Sequence, residues 1–197
     1  MFRLVVFLCA LSTSFAVLHL KLVDCNHSPN KIVHFEHAHL SADPVHIPGP
    51  ETGTIDVQVL QPIAGNHFQL NVHVSKKVLF GYVGVPCISN VGSCHYELCD
   101  LLSGRSFNNT NHCPNEILTS TPDFPCACPF KPGTYHLNPT TFIIPELAGV
   151  WKFLASGDYK AHAEIKDTST NEIVGCYDVQ VSTEADCSGL GCIFGKK

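Results

Sequence analysis

Polar and apolar residues alternate along most of this chain. Ile55, Val57 and Val59 are interleaved with Asp56 and Gln58, and Phe68, Leu70, Val72 and Val74 with Gln69, Asn71, His73 and Ser75. Tyr159, Ala161, Ala163 and Ile165 alternate with Lys160, His162, Glu164 and Lys166. Ile173, Gly175, Tyr177, Val179 and Val181 keep the same period near the C-terminus. Successive side chains of a strand point to opposite faces, so a period of two predicts strands with one apolar face. Further strands are predicted over Ile32–Leu40, where the alternation is poorer, and over Val78–Val85 and Thr140–Ile144. Turn signals separate these runs at Asp43-Pro44, Ile47-Pro48-Gly49-Pro50, Ala64-Gly65-Asn66, Lys131-Pro132-Gly133 and Ser156-Gly157-Asp158. No amphipathic run reaches ordinary helix length, and the best helix candidate is one or two turns over His95–Leu102. The expected architecture is all-β, a single antiparallel sandwich or cup.

The first residues change the picture of where this domain works. Met1-Phe2-Arg3 carries one positive charge, Leu4 to Leu11 is apolar, and Ser14-Phe15-Ala16 places small residues at a cleavage site. This is the pattern of a secretory signal peptide over residues 1–16, too short to span a bilayer. Residues 17–197 then form one domain, with a cysteine-containing tail from about residue 183. The expected locations are the extracellular space and the lysosome. Asn26-His27-Ser28 and Asn108-Asn109-Thr110 are N-glycosylation sequons consistent with that route.

Charge excludes one class of partner. Removing Arg3 leaves 11 Lys plus Arg against 17 Asp plus Glu, a net charge of −6. With no basic stripe to neutralise phosphates, nucleic acid is not an expected partner. Protonating all 12 histidines would bring the balance to 11 + 12 − 17, or +6, so an acidic vesicle reverses the sign. That reversal would favour anionic membranes.

Eleven cysteines become ten once Cys9 leaves with the leader. Six of the ten fall between Cys87 and Cys128, and in an oxidising compartment they read as a disulfide framework whose pairing sequence alone leaves open. A zinc site from Cys94, Cys99, Cys126 and Cys128 is the competing reading, although Cys-x-Cys is not usual structural-zinc spacing. His34, His37, His39 and His46 form a second group weighed as metal ligands; only His37 and His39 would share a strand face, and no metal is expected. The chain has no Gly-x-Ser-x-Gly elbow, no His-Glu-x-x-His pair and no phosphate-binding Gly-rich loop. Neither catalysis nor a cofactor is expected.

Three blocks carry a family resemblance. They are Asp43-Pro44-Val45-His46-Ile47-Pro48-Gly49; Val85-Pro86-Cys87 through Gly92-Ser93-Cys94 to Cys99-Asp100-Leu101-Leu102; and Cys113-Pro114 followed by Pro125-Cys126-Ala127-Cys128-Pro129-Phe130-Lys131-Pro132-Gly133-Thr134-Tyr135. Together they resemble the ganglioside activator proteins, sphingolipid activators of lysosomal beta-hexosaminidase A, within the wider lipid-recognition (ML) family. The resemblance runs from about Cys25 to Cys176. The segment between Cys94 and Cys99 is one residue shorter than the family's, Tyr82 stands where the family has tryptophan, and Cys187 and Cys192 lie beyond the family's eight cysteines.

The resemblance implies the pairs Cys25–Cys176, Cys87–Cys94, Cys99–Cys128 and Cys113–Cys126, and leaves Cys187 with Cys192. It also implies an apolar cup for lipid. Candidate lining residues are Phe68, Leu70, Val72, Phe142, Ile144, Tyr159 and Ile165, each equally readable as ordinary core. Two apolar segments, one with Phe80, Tyr82 and Val83 and one with Val150, Trp151, Phe153 and Leu154, are candidates for loops that meet a membrane. The expected function is non-enzymatic extraction and transfer of a glycosphingolipid or related lipid, including phospholipid, with presentation to a lysosomal glycosidase such as a beta-hexosaminidase. The expected partners are thus membrane lipid, a transient membrane surface and that hydrolase. The alternatives are an extracellular lipid-recognition module that retains its ligand, a lipid hydrolase, and a disulfide-rich inhibitor or structural protein.

Overall fold

A computed structural model describes residues 20–108, 114–149 and 151–185. The predicted leader, Cys113, Val150 and the tail cysteines Cys187 and Cys192 lie outside them. Ten strands follow one another as β1 (Lys21–Asp24), β2 (Val33–Leu40), β3 (Val45–Ile47), β4 (Gly49–Val59), β5 (Phe68–Val78), β6 (Gly81–Gly84), β7 (His95–Glu97), β8 (Gly133–Ile144), β9 (Gly157–Asp167) and β10 (Glu172–Ala185). Four short helices interrupt them: α1 (Leu98–Leu102), α2 (Arg105–Asn108), α3 (Asn115–Ser120) and α4 (Trp151–Leu154).

The strands form two sheets. The larger runs β1-β10-β9-β5-β6, with β7 also paired to β5 and β3 to β10; the smaller is β2-β4-β8. All pairings are antiparallel except that of β3 with β10. The all-β architecture is therefore present, and the strongest alternating runs coincide with β4, β5, β9 and β10.

Two local expectations are corrected. Val78–Val85 is not one strand: β5 ends at Val78, the chain turns through Leu79 and Phe80, and β6 returns against β5. Gly81 adopts φ +139° at this turn, a conformation available to glycine at little cost. His95–Leu102 is helical only in its second half. His95–Glu97 pairs with Gln69–Asn71, and Glu97 then caps α1 by accepting hydrogen bonds from the amides of Cys99 and Asp100. A carboxylate at that position satisfies amides that the first helical turn leaves open.

The core occupies one end of the sandwich. Ile32, Val33, Val59, Ile63, Phe68, Leu98, Phe130, Ile165, Val174 and Tyr177 are buried together there. Tyr177 joins the two sheets: its ring meets Phe35 edge-on at 4.9 Å, and its hydroxyl donates to the Val33 carbonyl at 3.0 Å. Two of the disulfides fasten the same region. Cys99–Cys128 draws α1 onto the segment before β8, Cys25–Cys176 ties β10 to the chain just after β1, and Cys87–Cys94 closes a small loop. Cys126 is also disulfide-bonded. Inside the Cys87–Cys94 loop Gly92 adopts φ +101°, and a Cβ there would lie 2.2 Å from the Pro86 carbonyl oxygen, so only glycine fits.

Candidate functional site

The site is built on strands whose inner residues are packed at one end and half-covered at the other. On the large sheet Leu70, Val72 and Val74 of β5 stand opposite Ile165, Ala163 and Ala161 of β9, and Ala163 and Ala161 stand opposite Tyr177 and Val179 of β10. Leu70 and Ile165 belong to the packed end, whereas Val72, Val74, Ala161, Ala163, Val179 and Val181 are only half-buried. Apolar side chains that share a face with the core and yet remain half-covered mark an inner surface that the opposite sheet does not close.

On the small sheet the corresponding residues are Phe142 and Ile144, both half-buried, with Thr140 buried beside them. The outer face is marked by Thr52 and Thr141, whose hydroxyls meet at 2.7 Å in an exposed position. Phe142 lies on the other side, opposite Glu51. Both sheets therefore carry half-covered inner residues at the end away from the core.

The sequence-derived lining candidates divide accordingly. Phe68 and Ile165 are buried in the packed cluster and Leu70 packs against it, because their strand ends meet α1 and the Cys99–Cys128 bridge. Val72, Phe142, Ile144 and Tyr159 lie toward the open end. The Tyr159 hydroxyl donates to the Leu154 carbonyl of α4, and burial pushes the phenol up to about 12. Trp151 and Leu154, at the two ends of α4, are half-buried.

The β5–β6 hairpin is the most exposed apolar feature among the described residues. Phe80 is 99% exposed and Leu79 73%, with Val78 and Val83 also outside. Tyr82 sits on the same hairpin but turns to the outer face, where the Lys160 ammonium lies 4.4 Å from its ring centroid. Tyr82 is thus separated from the apolar tip, since it is paired with Lys77, whose own side chain reaches Asp158 on the outer side.

Two charged residues on the inner faces were not singled out from sequence. Lys76 follows Phe68, Leu70, Val72 and Val74 in the period of two; its ammonium lies 5.7 Å from the Tyr159 ring centroid, and desolvation lowers its pKa. Glu51 precedes Gly53, Ile55, Val57 and Val59 in the same way and is buried. Extending each alternation by two residues was the signal available.

The outer face of the large sheet is polar. A depression of about 400 Å³ there is lined by His73, Ser75, Lys160, His162, Asp178 and Gln180 among others. His162 Nδ1 lies 2.7 Å from Asp178 and Nε2 3.3 Å from Glu164; the hydrogen bond to Asp178 is the largest influence, and the imidazole's pKa is raised. Cys25, Cys176 and His162 converge beside it, but both sulfurs are committed to a disulfide and offer no thiolate. The zinc reading fails for the same reason: Cys94, Cys99, Cys126 and Cys128 are all disulfide-bonded. His37 and His39 are exposed with rings parallel at 6.4 Å, His34 lies 3.5 Å from Asp24, and His46 is exposed.

Asn26 is half-buried; its Nδ2, the atom a glycan would take, is shielded and has no hydrogen-bond partner. Asn108 is the last residue of α2. Among the described residues no helix is long and apolar enough to cross a membrane.

Residues 19–183 match the ML domain family. The chain is 29% identical over 144 residues to the ganglioside GM2 activator of Mus musculus, covering 73% of this chain and 71% of that protein. It is 28% identical to the ganglioside GM2 activator of Macaca fascicularis, covering 73% and 72%. Among solved structures, a Niemann-Pick type C2 protein from Japanese carpenter ant aligns with a TM-score of 0.42 at 12% identity, over 83% of this chain and 99% of that one. Chicken MD-1 complexed with lipid IVa aligns with a TM-score of 0.32 at 14% identity, over 85% and 91%. With most of its length matched, from before β1 to the last residues of β10, the chain belongs to the ML domain family, the lipid-recognition family that its cysteine and proline blocks resemble.

Proposed function

We propose that this protein is a non-enzymatic lipid carrier that takes a glycosphingolipid or related lipid from a membrane into the open end of its sandwich. The observation that carries the reading is the half-covered apolar inner surface with an exposed apolar hairpin on the strand that forms it. Val72, Phe142, Ile144 and Tyr159 line the cup; Phe68, Leu70 and Ile165 form the packed end beneath it. Family membership and the identity to ganglioside GM2 activators support a lipid as the ligand.

The energetics suit carriage without an energy source. Burying an acyl chain is worth about 0.8 kcal/mol per methylene, so a chain of about 16 carbons gains roughly 13 kcal/mol relative to water. Release into water is therefore strongly disfavoured. Movement from bilayer to apolar cup exchanges one hydrocarbon environment for another, and polar contacts decide which lipid leaves. Presentation of the extracted lipid to a lysosomal glycosidase, and action in the lysosome or outside the cell, belong to the same proposal.

The test is transfer of fluorescent glycosphingolipids and phospholipids between vesicles by the purified protein at acidic and neutral pH. Saturable transfer supports a carrier. Stable retention of one lipid without turnover would favour a recognition module, and no lipid bound at either pH would sink the proposal.

A further inference from the structure

Glu51 is the one buried carboxylate among the described residues, only 5% exposed. It is the third residue of β4, opposite Phe142 of β8, and lies on the face turned away from the exposed Thr52–Thr141 hydroxyl pair. That is the inner face at the open end of the sandwich. The two carboxylate oxygens have unequal surroundings. Oε1 accepts from the Ser41 hydroxyl at 3.0 Å and from the Ala42 amide at 3.1 Å. Oε2 is shut away from solvent and has no hydrogen-bond partner. None of the described ion pairs involves Glu51.

A buried acceptor without a donor costs about 1–3 kcal/mol, and more when it is charged. Native folds leave few such atoms, and each calls for an explanation. A leucine or valine at this position would continue the inward apolar run of Ile55, Val57 and Val59 with no such cost. The unmet oxygen has a use if a donor arrives with the ligand.

We infer that Glu51 Oε2 accepts a hydrogen bond from the head–tail junction of the bound lipid, so the cup selects lipids carrying an amide N–H or hydroxyl there. A ceramide-based lipid has both donors at its junction; a diacylglycerol-based lipid has only ester oxygens, which cannot donate. The inference rests on the open end being the lipid site. The junction is the matching part of the ligand because Oε2 is shut away from solvent on a residue paired with Phe142, on the inner face where acyl chains would lie, and a headgroup stays in water. The contact forms only when an incoming lipid parts the side chains that cover Glu51.

Sphingomyelin and phosphatidylcholine test this directly, since both carry phosphocholine and differ at the junction. Transfer of each from vesicles of otherwise identical composition is measured for the full chain and for E51Q and E51M. The expected wild-type preference for sphingomyelin is roughly tenfold, the effect of one hydrogen bond to a charged group. Both variants are expected to abolish it by lowering sphingomyelin transfer far more than phosphatidylcholine transfer, and far-UV circular dichroism with urea unfolding reports that each variant is folded. E51Q is the gentler change: its carbonyl keeps the Ser41 and Ala42 bonds and its amide turns a donor toward the ligand. A preference that survives both variants, an equal loss for both lipids, or no wild-type preference would each overturn the inference. So would a preference for phosphatidylethanolamine over phosphatidylcholine in place of the sphingomyelin effect, which would locate the donor on the headgroup amine. A wild-type protein that moves no lipid at all would overturn the carrier reading as well, a result distinct from transfer without selection.

Discussion

The Tyr177 hydroxyl serves both sheets at once: it donates to the Val33 carbonyl and accepts from the Phe35 amide at 3.3 Å, while burial pushes the phenol up to about 12. Tyr177→Phe keeps the ring contact with Phe35 and takes the hydroxyl from the buried Val33 carbonyl and the part-buried Phe35 amide. A loss of about 1–3 kcal/mol is expected in urea unfolding, with little change in lipid transfer. His162 offers a pH-dependent counterpart on the outer face. Its pKa is raised above the usual histidine value, chiefly by the hydrogen bond to Asp178. The contribution to stability is therefore fully present below about pH 6.5 and disappears as pH rises through the raised pKa. His162→Gln is expected to cost more stability at pH 5 than at pH 8, and Asp178→Asn should lower the midpoint of the His162 titration seen by NMR. A midpoint unaffected by Asp178→Asn would refute this assignment. The side chain is 41% exposed, so the effect is a modest one.

At the scale of elements, membrane docking is proposed for the β5–β6 hairpin and α4, which differ in exposure. Leu79 and Phe80 project from the hairpin into solvent, where they contribute little to stability. Each large apolar side chain moved out of water gains roughly 1.5–3 kcal/mol, enough for tenfold or more in binding. The double variant Leu79→Ser, Phe80→Ser is expected to keep its unfolding free energy within about 0.5 kcal/mol, as for an ordinary surface change. Its affinity for vesicles should fall at least about tenfold by this same bookkeeping. Unchanged vesicle binding would remove the hairpin from the docking surface. Trp151 behaves differently, since it is half-buried in α4 and its replacement should affect both folding and transfer. Tyr82, turned toward Lys160, should contribute less to vesicle binding than Phe80.

For the molecule as a whole, packing at one end leaves the inner faces half-covered at the other. Disulfides and the main hydrophobic cluster are concentrated where β2, β4, β5, β9 and β10 come together, so the remaining inner surface can stay half-covered without the sheets separating. Cys25–Cys176 joins positions 151 residues apart. In the chain-entropy model a loop of about 100 residues is worth about 4.7 kcal/mol, and removing a native disulfide usually costs about 2–5 kcal/mol. The Cys25→Ala, Cys176→Ala variant should accordingly unfold at clearly lower urea, and full stability in that variant would show that packing alone holds the closed end.

The alternation of apolar and polar residues determined the strands, because a period of two leaves each strand one face to bury whatever its neighbours are. It also determined that Val72 and Val74 share a face, and the cysteine and proline blocks determined the family. Which face residues are packed and which remain half-covered was decided only by the tertiary structure. Phe68 and Val72 are indistinguishable in the pattern, yet α1 and the Cys99–Cys128 bridge cover one and not the other. The short turn at Leu79-Phe80 was hidden in an apolar run because exposure, not composition, separates an exposed hairpin tip from a buried strand. The burial of Glu51 likewise depended on the pairing of β4 with the distant β8 and on how the nearby loop at Ser41 and Ala42 folds back onto it, neither of which the alternation encodes.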